Sequence, residues 1–122
     1  MGNYQKSKGR TKGHNFVMLR HDMMDSPAWH SLSPNARCVW TEIMRRYNGT
    51  NNGKIPLSCR EAAKFCKISK ATASRAFKEL EEKGFIKIAV FAGFKNKHRV
   101  SNHWIVTHER YDNKPPTNEW KN

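Results

Sequence analysis

Two serines eleven residues apart, Ser58 and Ser69, each precede a segment with helical apolar spacing, and between them there is room for one short helix and one sharp reversal. Ser58 is followed three residues later by Glu61. Its hydroxyl can accept from the Glu61 amide while the Glu61 carboxylate reaches back to the Ser58 amide, which is a capping box. Ser69 can open a second helix in the same way. Lys83 and Gly84 close it with a basic last turn and a residue that tolerates positive φ. Residues 54–86 therefore read as two helices joined by a tight turn.

The elements on either side follow from the same rules. Ser26-Pro27 and Ser33-Pro34 each place a capping serine before a proline at the first helical position. The first start carries Trp29 and Leu32. The second opens the longest helix, expected to run to about Tyr47, with Ala36, Val39, Trp40, Ile43, Met44 and Tyr47 on its core stripe and Arg37, Arg45 and Arg46 facing solvent or a partner. Turn chemistry at Gly49-Thr50-Asn51-Asn52-Gly53 precedes a short edge strand, Lys54-Ile55-Pro56-Leu57. After Gly84 the period changes to alternation. Residues 85–94 are expected as a strand with Ile86, Ile88 and Val90 on one side, and residues 102–107, with Trp104 and Val106, as its partner. Between them lies a hairpin tip with Lys95, Asn96, Lys97, His98 and Arg99.

Three segments result. Residues 1–15, with Lys6, Lys8, Arg10 and Lys12, three glycines and no acid, form a flexible basic arm. Residues 16–111 form the folded domain, beginning at the apolar run Phe16-Val17-Met18-Leu19. Residues 112–122 read as a C-terminal tail, with Tyr111 and Trp120 left as aromatics with a place to dock. The expected class is α+β, mostly helical, with a two- to three-stranded antiparallel sheet.

With 23 Lys and Arg against 10 Asp and Glu, the formal charge is +13, and such an excess repels itself in a compact state unless an anion neutralises it. Nucleic acid is the leading candidate; a merely solubilising basic surface is the plain alternative. No apolar run approaches the ~20 residues that cross a membrane, and the N-terminus has no signal-peptide core, so a cytoplasmic, nucleoid-associated protein is expected. Cys38, Cys59 and Cys66 are odd in number and form no C-x-x-C pair. That spacing disfavours a disulfide scaffold and a zinc site, and Cys59 and Cys66 read as small buried hydrophobes on one helix side. No metal and no cofactor are expected. Nor is an enzyme, since no nucleophile with a base and no phosphate loop is present and His98, His103 and His108 alternate faces on a strand.

Along residues 69–83, Ala73, Ala76, Phe77 and Leu80 form the stripe that must face the core. The opposite face carries Ala71, Thr72, Ser74, Arg75 and Lys78 near its start, and Glu79 and Glu82 further along. Short side chains let a backbone approach closely, and Arg75 can offer a planar fork to guanine O6 and N7. Ala71 and the Thr72 methyl can meet a thymine methyl, while Ser69, Lys70 and Ser74 can hold phosphates at the helix N-terminus. Glu79, Glu81 and Glu82 lie at the far end; the plain reading would make Arg75 and Lys78 their i, i+4 partners on a solvated face. Lys95, Lys97 and Arg99 at the hairpin tip, and the arm lysines and arginine, can reach the backbone or minor groove.

Helix, turn, helix and hairpin in this order resemble the winged helix-turn-helix superfamily across residues 33–107. Residues 69–86, Ser69-Lys70-Ala71-Thr72-Ala73-Ser74-Arg75 onward to Phe85-Ile86, resemble the recognition helix and following strand of MarR-type and GntR-type regulators. That resemblance implies DNA contact from Lys70, Ala71, Thr72, Ser74 and Arg75. The hairpin return Arg99-Val100-Ser101-Asn102-His103-Trp104 is similar to the wing in N-terminal domains of plasmid and phage replication proteins. The chain lacks the long flanking helices through which MarR-type proteins dimerise, so self-association is expected to be weak or DNA-dependent.

The function expected is sequence-specific binding of double-stranded DNA in transcriptional regulation, in a bacterium, phage or mobile element. An accessory protein of replication or recombination, excisionase-like, would use the same surface. A protein-interaction winged helix, anchored by Trp29, Trp104 or Trp120 or recruiting a partner through the C-terminal tail, is the alternative of another class. Binding of RNA or single strands, with Phe91, Phe94 and Trp104 as a stacking platform, ranks third.

Overall fold

Serine caps start four of the helices in the computed structural model, which describes residues 14–89 and 103–121. Helix α1 (His21–Met24) is the one without a side-chain cap. Ser26 accepts from the Trp29 amide at the start of α2 (Pro27–His30), and Ser33 accepts from the Ala36 amide at the start of α3 (Pro34–Arg46). Both have proline at the first helical position, where no backbone donor is lost. After β1 (Ile55–Pro56), α4 (Cys59–Cys66) opens on the complete Ser58–Glu61 capping box, each bond at 3.1 Å. Ser69 starts α5 (Lys70–Glu82) by accepting from the Thr72 amide at 3.0 Å.

Strands β2 (Ile86–Ile88) and β3 (His103–Val106) complete an antiparallel sheet of order β1-β3-β2. The register pairs Ile86 with Val106, Lys87 with Ile105 and Ile88 with Trp104, while Ile55 pairs with Trp104 on the other side of β3. Pro56, which cannot donate to a ladder, falls on the outer strand. Asn52 replaces the ladder where β1 ends: its side chain accepts from the Val106 amide at 2.8 Å and donates to the carbonyls of Val106 and Arg110. The architecture is α+β and has the layout of a winged helix-turn-helix.

The core lies between α3, α4 and α5 and the sheet. Ala36, Val39, Trp40, Ile43 and Met44 are buried from α3, and Ala73, Ala76, Phe77 and Leu80 from α5, as the periodicity requires. A run of ring contacts crosses it: Trp40 meets Trp29 edge-on at 5.3 Å, Trp29 meets Phe85 edge-on at 5.7 Å, and Phe85 stacks on Trp120 at 6.3 Å. Each such pair contributes roughly 0.5–1.5 kcal/mol beyond its buried area.

Several expectations are corrected. In the segment read as a tail, Trp120 does dock: in a short 3-10 turn (Glu119–Lys121) it is buried against Phe85, and the Asn118 amide donates to the Thr107 carbonyl at 2.8 Å. Arg37 does not face solvent freely, because its guanidinium folds back to the carbonyls of Trp29 and His30 and tethers α2 to α3. Arg46 likewise bonds Glu42 at 2.9 Å. Ile88 is 44% exposed, since the facing Trp104 indole turns to Phe77 and to the Leu57 carbonyl and leaves Ile88 at the margin of the core. Helix α1, with the fully buried Met23, follows from no apolar period of its own. Of the N-terminal apolar run, Val17 and Leu19 pack on the core while Phe16 and Met18 point outward. Val90, the hairpin tip and residues 1–13 of the arm lie outside the described residues.

Candidate nucleic-acid interface

Helix α5 is held by its apolar stripe, so what it can offer a ligand is decided by the rest of its circumference. Ser69, Lys70, Ala71, Ser74, Arg75 and Lys78 are exposed and Thr72 is half-buried. Apart from Lys78, just past the middle, these expected contact residues occupy the cap and N-terminal half of one helix, with no acid among them. The sheet is fixed to the same helix. Trp104 of β3 stacks on Phe77 at 4.8 Å with the rings nearly parallel, and its Nε1 donates to the Leu57 carbonyl at 3.0 Å.

The start of α5 carries a hydrogen-bond chain. Ser69 Oγ accepts from the Thr72 amide and donates to Thr72 Oγ1 at 2.9 Å, and Arg75 Nη2 donates to the same Thr72 Oγ1 at 3.2 Å. Arg75 is therefore not paired with Glu79, as a solvated-face reading would have it. Glu79 turns the other way: its two carboxylate oxygens accept from the amide and the hydroxyl of Ser33, both at 2.8 Å. This ties the middle of α5 to the first turn of α3 and leaves Glu79 half-buried, where the sequence had placed it on the open face. Lys83, the i+4 partner, approaches Glu79 to 4.0 Å and donates to Ser31.

Glu81 and Glu82 line an open groove with Pro27, Ala28, Ser31, Lys83, Gly84 and Glu119, at the opposite end of α5 from Ser69. Partial burial and the neighbouring Glu82 charge raise the Glu81 carboxyl above its ordinary range. Glu119 is instead held low by the Lys87 ammonium at 2.9 Å.

The turn into α5 holds a residue that the sequence reading passed over. Lys67, exposed at the C-cap of α4, adopts left-handed geometry with φ 58° and ψ 49°, a position where glycine or asparagine is usual. It flanks Ser69 on one side as Lys70 does on the other. No propensity rule finds it, because lysine is a poor candidate for that backbone region.

Among the described residues the cysteines and histidines are not gathered at one place. Cys66, at the end of α4, is pushed up to about 12 by burial and by the adjacent Cys38 thiol, so it stays a neutral thiol at ordinary pH. Cys59 and Cys66 are half-buried and packed against the core, close to the expectation, and Cys38 is exposed. His108, expected on a strand with His98 and His103 at alternating faces, lies just past β3 in the core against Trp40, and burial lowers it to about 4. Its 3.6 Å approach to Glu109 is therefore made by a neutral ring at pH 7. Among the described residues no group of three or more His, Cys, Asp or Glu could hold a metal, and no helix is long and apolar enough to cross a membrane. Trp29, Trp104 and Trp120, the aromatics considered as partner anchors, are all buried. Lys95, Asn96, Lys97, His98 and Arg99, and Lys6, Lys8, Arg10 and Lys12, expected to contact DNA, lie outside the described residues.

Residues 30–86 match the family of helix-turn-helix domains. The match runs from the end of α2 through α5 to the first residue of β2, so it contains α3 and, with the turn between them, α4 and α5. It supports a DNA-binding domain. No curated protein and no solved structure matches the chain.

Proposed function

We propose that this protein binds double-stranded DNA sequence-specifically, as a transcriptional regulator of bacterial, phage or mobile-element origin, with α5 in the major groove. The observation that carries this reading is the sorting of charge along α5. Lys70 and Arg75 stand exposed on its first half and Lys78 just past its middle, while Glu79 is turned into the domain and Glu81 and Glu82 sit at the far end. A helix N-terminus with small exposed residues admits close approach to phosphate and base edges, and the net charge of +13 supplies the attraction.

In this reading Arg75 takes guanine, Ala71 and Thr72 meet thymine methyls, and Ser69, Lys70, Ser74 and Lys78 hold phosphates. Lys95, Asn96, Lys97, His98 and Arg99 of the wing, with Lys6, Lys8, Arg10 and Lys12 of the arm, add backbone or minor-groove contacts. With about six to eight phosphate contacts, affinity falls about 10³–10⁴-fold between 50 and 200 mM salt.

Selection of bound duplexes from a random pool at two salt concentrations tests the proposal. A motif that persists at the higher salt supports base readout. Arg75→Ala then relaxes preference at one base pair, whereas Lys97→Ala weakens all duplexes alike and lowers the salt slope by about one. Binding with no enriched motif, lost as salt rises, would overturn sequence-specific regulation.

A further inference from the structure

The geometry points to Thr72 as a positioning residue that orients the Arg75 guanidinium for base readout through its hydroxyl. This rests on the reading of α5 as the helix that meets DNA. Thr72 Oγ1 accepts at once from the Ser69 hydroxyl at 2.9 Å and from Arg75 Nη2 at 3.2 Å, so both its lone-pair directions are used. The Ser69 hydroxyl is in turn fixed, because its oxygen accepts from the Thr72 amide at 3.0 Å as the helix cap. The orientation of Arg75 is thus tied to backbone geometry through two side chains.

An exposed arginine has many rotamers, and holding it in one before binding removes part of the ordering cost of the complex. Arg75 spends one of its five N–H donors on Thr72, and the remaining donors still include a planar pair for guanine O6 and N7. Thr72 occupies the third helical position, where a capping box would carry Glu or Gln; here it is a short hydroxyl that faces along the helix to the residue one turn on. A carboxylate in its place would hold Arg75 more tightly and add negative charge where phosphate approaches.

The test is a double-mutant cycle on the full chain, read as the ratio of affinity for a selected duplex to affinity for random duplex. Arg75→Ala lowers this ratio roughly 10- to 100-fold, as expected for loss of one bidentate base contact. Thr72→Val, which keeps the β-branch and the amide that caps onto Ser69, lowers it about 3- to 10-fold, and Thr72→Ser restores it to within about 2-fold of the parent. In the Arg75→Ala background, Thr72→Val has no further effect on the ratio. Thr72→Ala provides a second truncation, and thermal melting checks that each variant is folded.

Equal losses from Thr72→Val in both backgrounds would mean that the Thr72 hydroxyl contacts DNA itself, and would overturn the positioning role. So would equal weakening of selected and random duplexes, which marks a phosphate contact. If Arg75→Ala lowers the ratio and Thr72→Val leaves it unchanged, the inference fails and the proposed function stands. An unchanged ratio in Arg75→Ala would remove base readout by Arg75 and the role of Thr72 together.

Discussion

Replacing Gly84 with alanine tests how the end of α5 is held. Gly84 follows the helix with φ +85°, and a Cβ built there would stand 2.6 Å from the backbone carbon and oxygen of Glu119 and 2.8 Å from the Trp120 nitrogen. Left-handed geometry alone costs an alanine roughly 1–2 kcal/mol. The contact is a separate matter. Its partners are main-chain atoms that cannot rotate aside, so residues 119–120 must move and take Trp120 with them. Lifting out an aromatic of this kind costs about 3–5 kcal/mol when it is fully lost, while the half-exposed Lys87–Glu119 pair adds less than ~1 kcal/mol. Gly84→Ala should therefore cost about 3–6 kcal/mol in the full chain, a fall of ~10–25 °C in Tm for a domain of this size. In a chain ending at Asn118 the same substitution should cost only the ~1–2 kcal/mol of backbone strain. Urea unfolding followed by tryptophan fluorescence and by circular dichroism measures both. Equal costs in the two backgrounds would refute the packing argument and leave only local strain.

Three further outcomes follow from other contacts. Glu79→Ala removes two charge-assisted bonds to Ser33 and should destabilise by about 2–3 kcal/mol, with Glu79→Gln costing roughly half; a loss under ~0.5 kcal/mol in urea unfolding would show that α3 and α5 are not joined there. His108 remains neutral in the native state down to about pH 4 but takes up its proton near 6.5 in the unfolded chain. The unfolded state then binds more protons between those values, so stability is fully present above pH 6.5 and falls by up to about 3 kcal/mol as the pH drops to 4; a His108→Gln variant should lack that slope in unfolding measured across the range. Lys67→Gly relieves left-handed strain and should raise stability by about 0.5–1 kcal/mol, while lowering the salt slope of DNA binding by roughly one if Lys67 meets a phosphate; a more stable variant with an unchanged slope would make Lys67 a turn residue only.

The helices of the central motif were legible because their signals are local. Ser58 with Glu61, Ser69, Ser33-Pro34 and the α5 stripe each specify a short stretch of backbone without reference to the rest of the chain. What escaped depends on contacts distant in sequence. Glu79 looks like a surface acid on any helical projection, and only the approach of Ser33, 46 residues away, turns it inward. Trp120 follows two prolines and an asparagine with positive φ, a pattern that reads as a tail until Gly84 offers a surface without a side chain. Gly84 itself was recognised as a helix end, which was half of its role. The burial of His108 was not legible, since it depends on Trp40 reaching across from α3.

The side chains on α5 also bound how much sequence information this helix can carry in the proposed complex. Ala71 and Ser74 are short, and Lys70 and Lys78 are point charges suited to phosphate, so Arg75 is the one long planar reader on the exposed half. One bidentate base contact is worth about 1–3 kcal/mol, and a thymine methyl contact from Ala71 or Thr72 adds less. Specific binding typically exceeds non-specific binding by about 4–10 kcal/mol, so a single α5 falls short of that range. The remainder has to come from basic segments that read groove width, or from a second chain on a neighbouring site, since bound copies add their contacts. Either source predicts a short conserved core in selected duplexes, flanked by an A·T-rich stretch in the first case and repeated at a fixed spacing in the second. A long, evenly informative motif bound by one chain would contradict the limit set by the α5 surface.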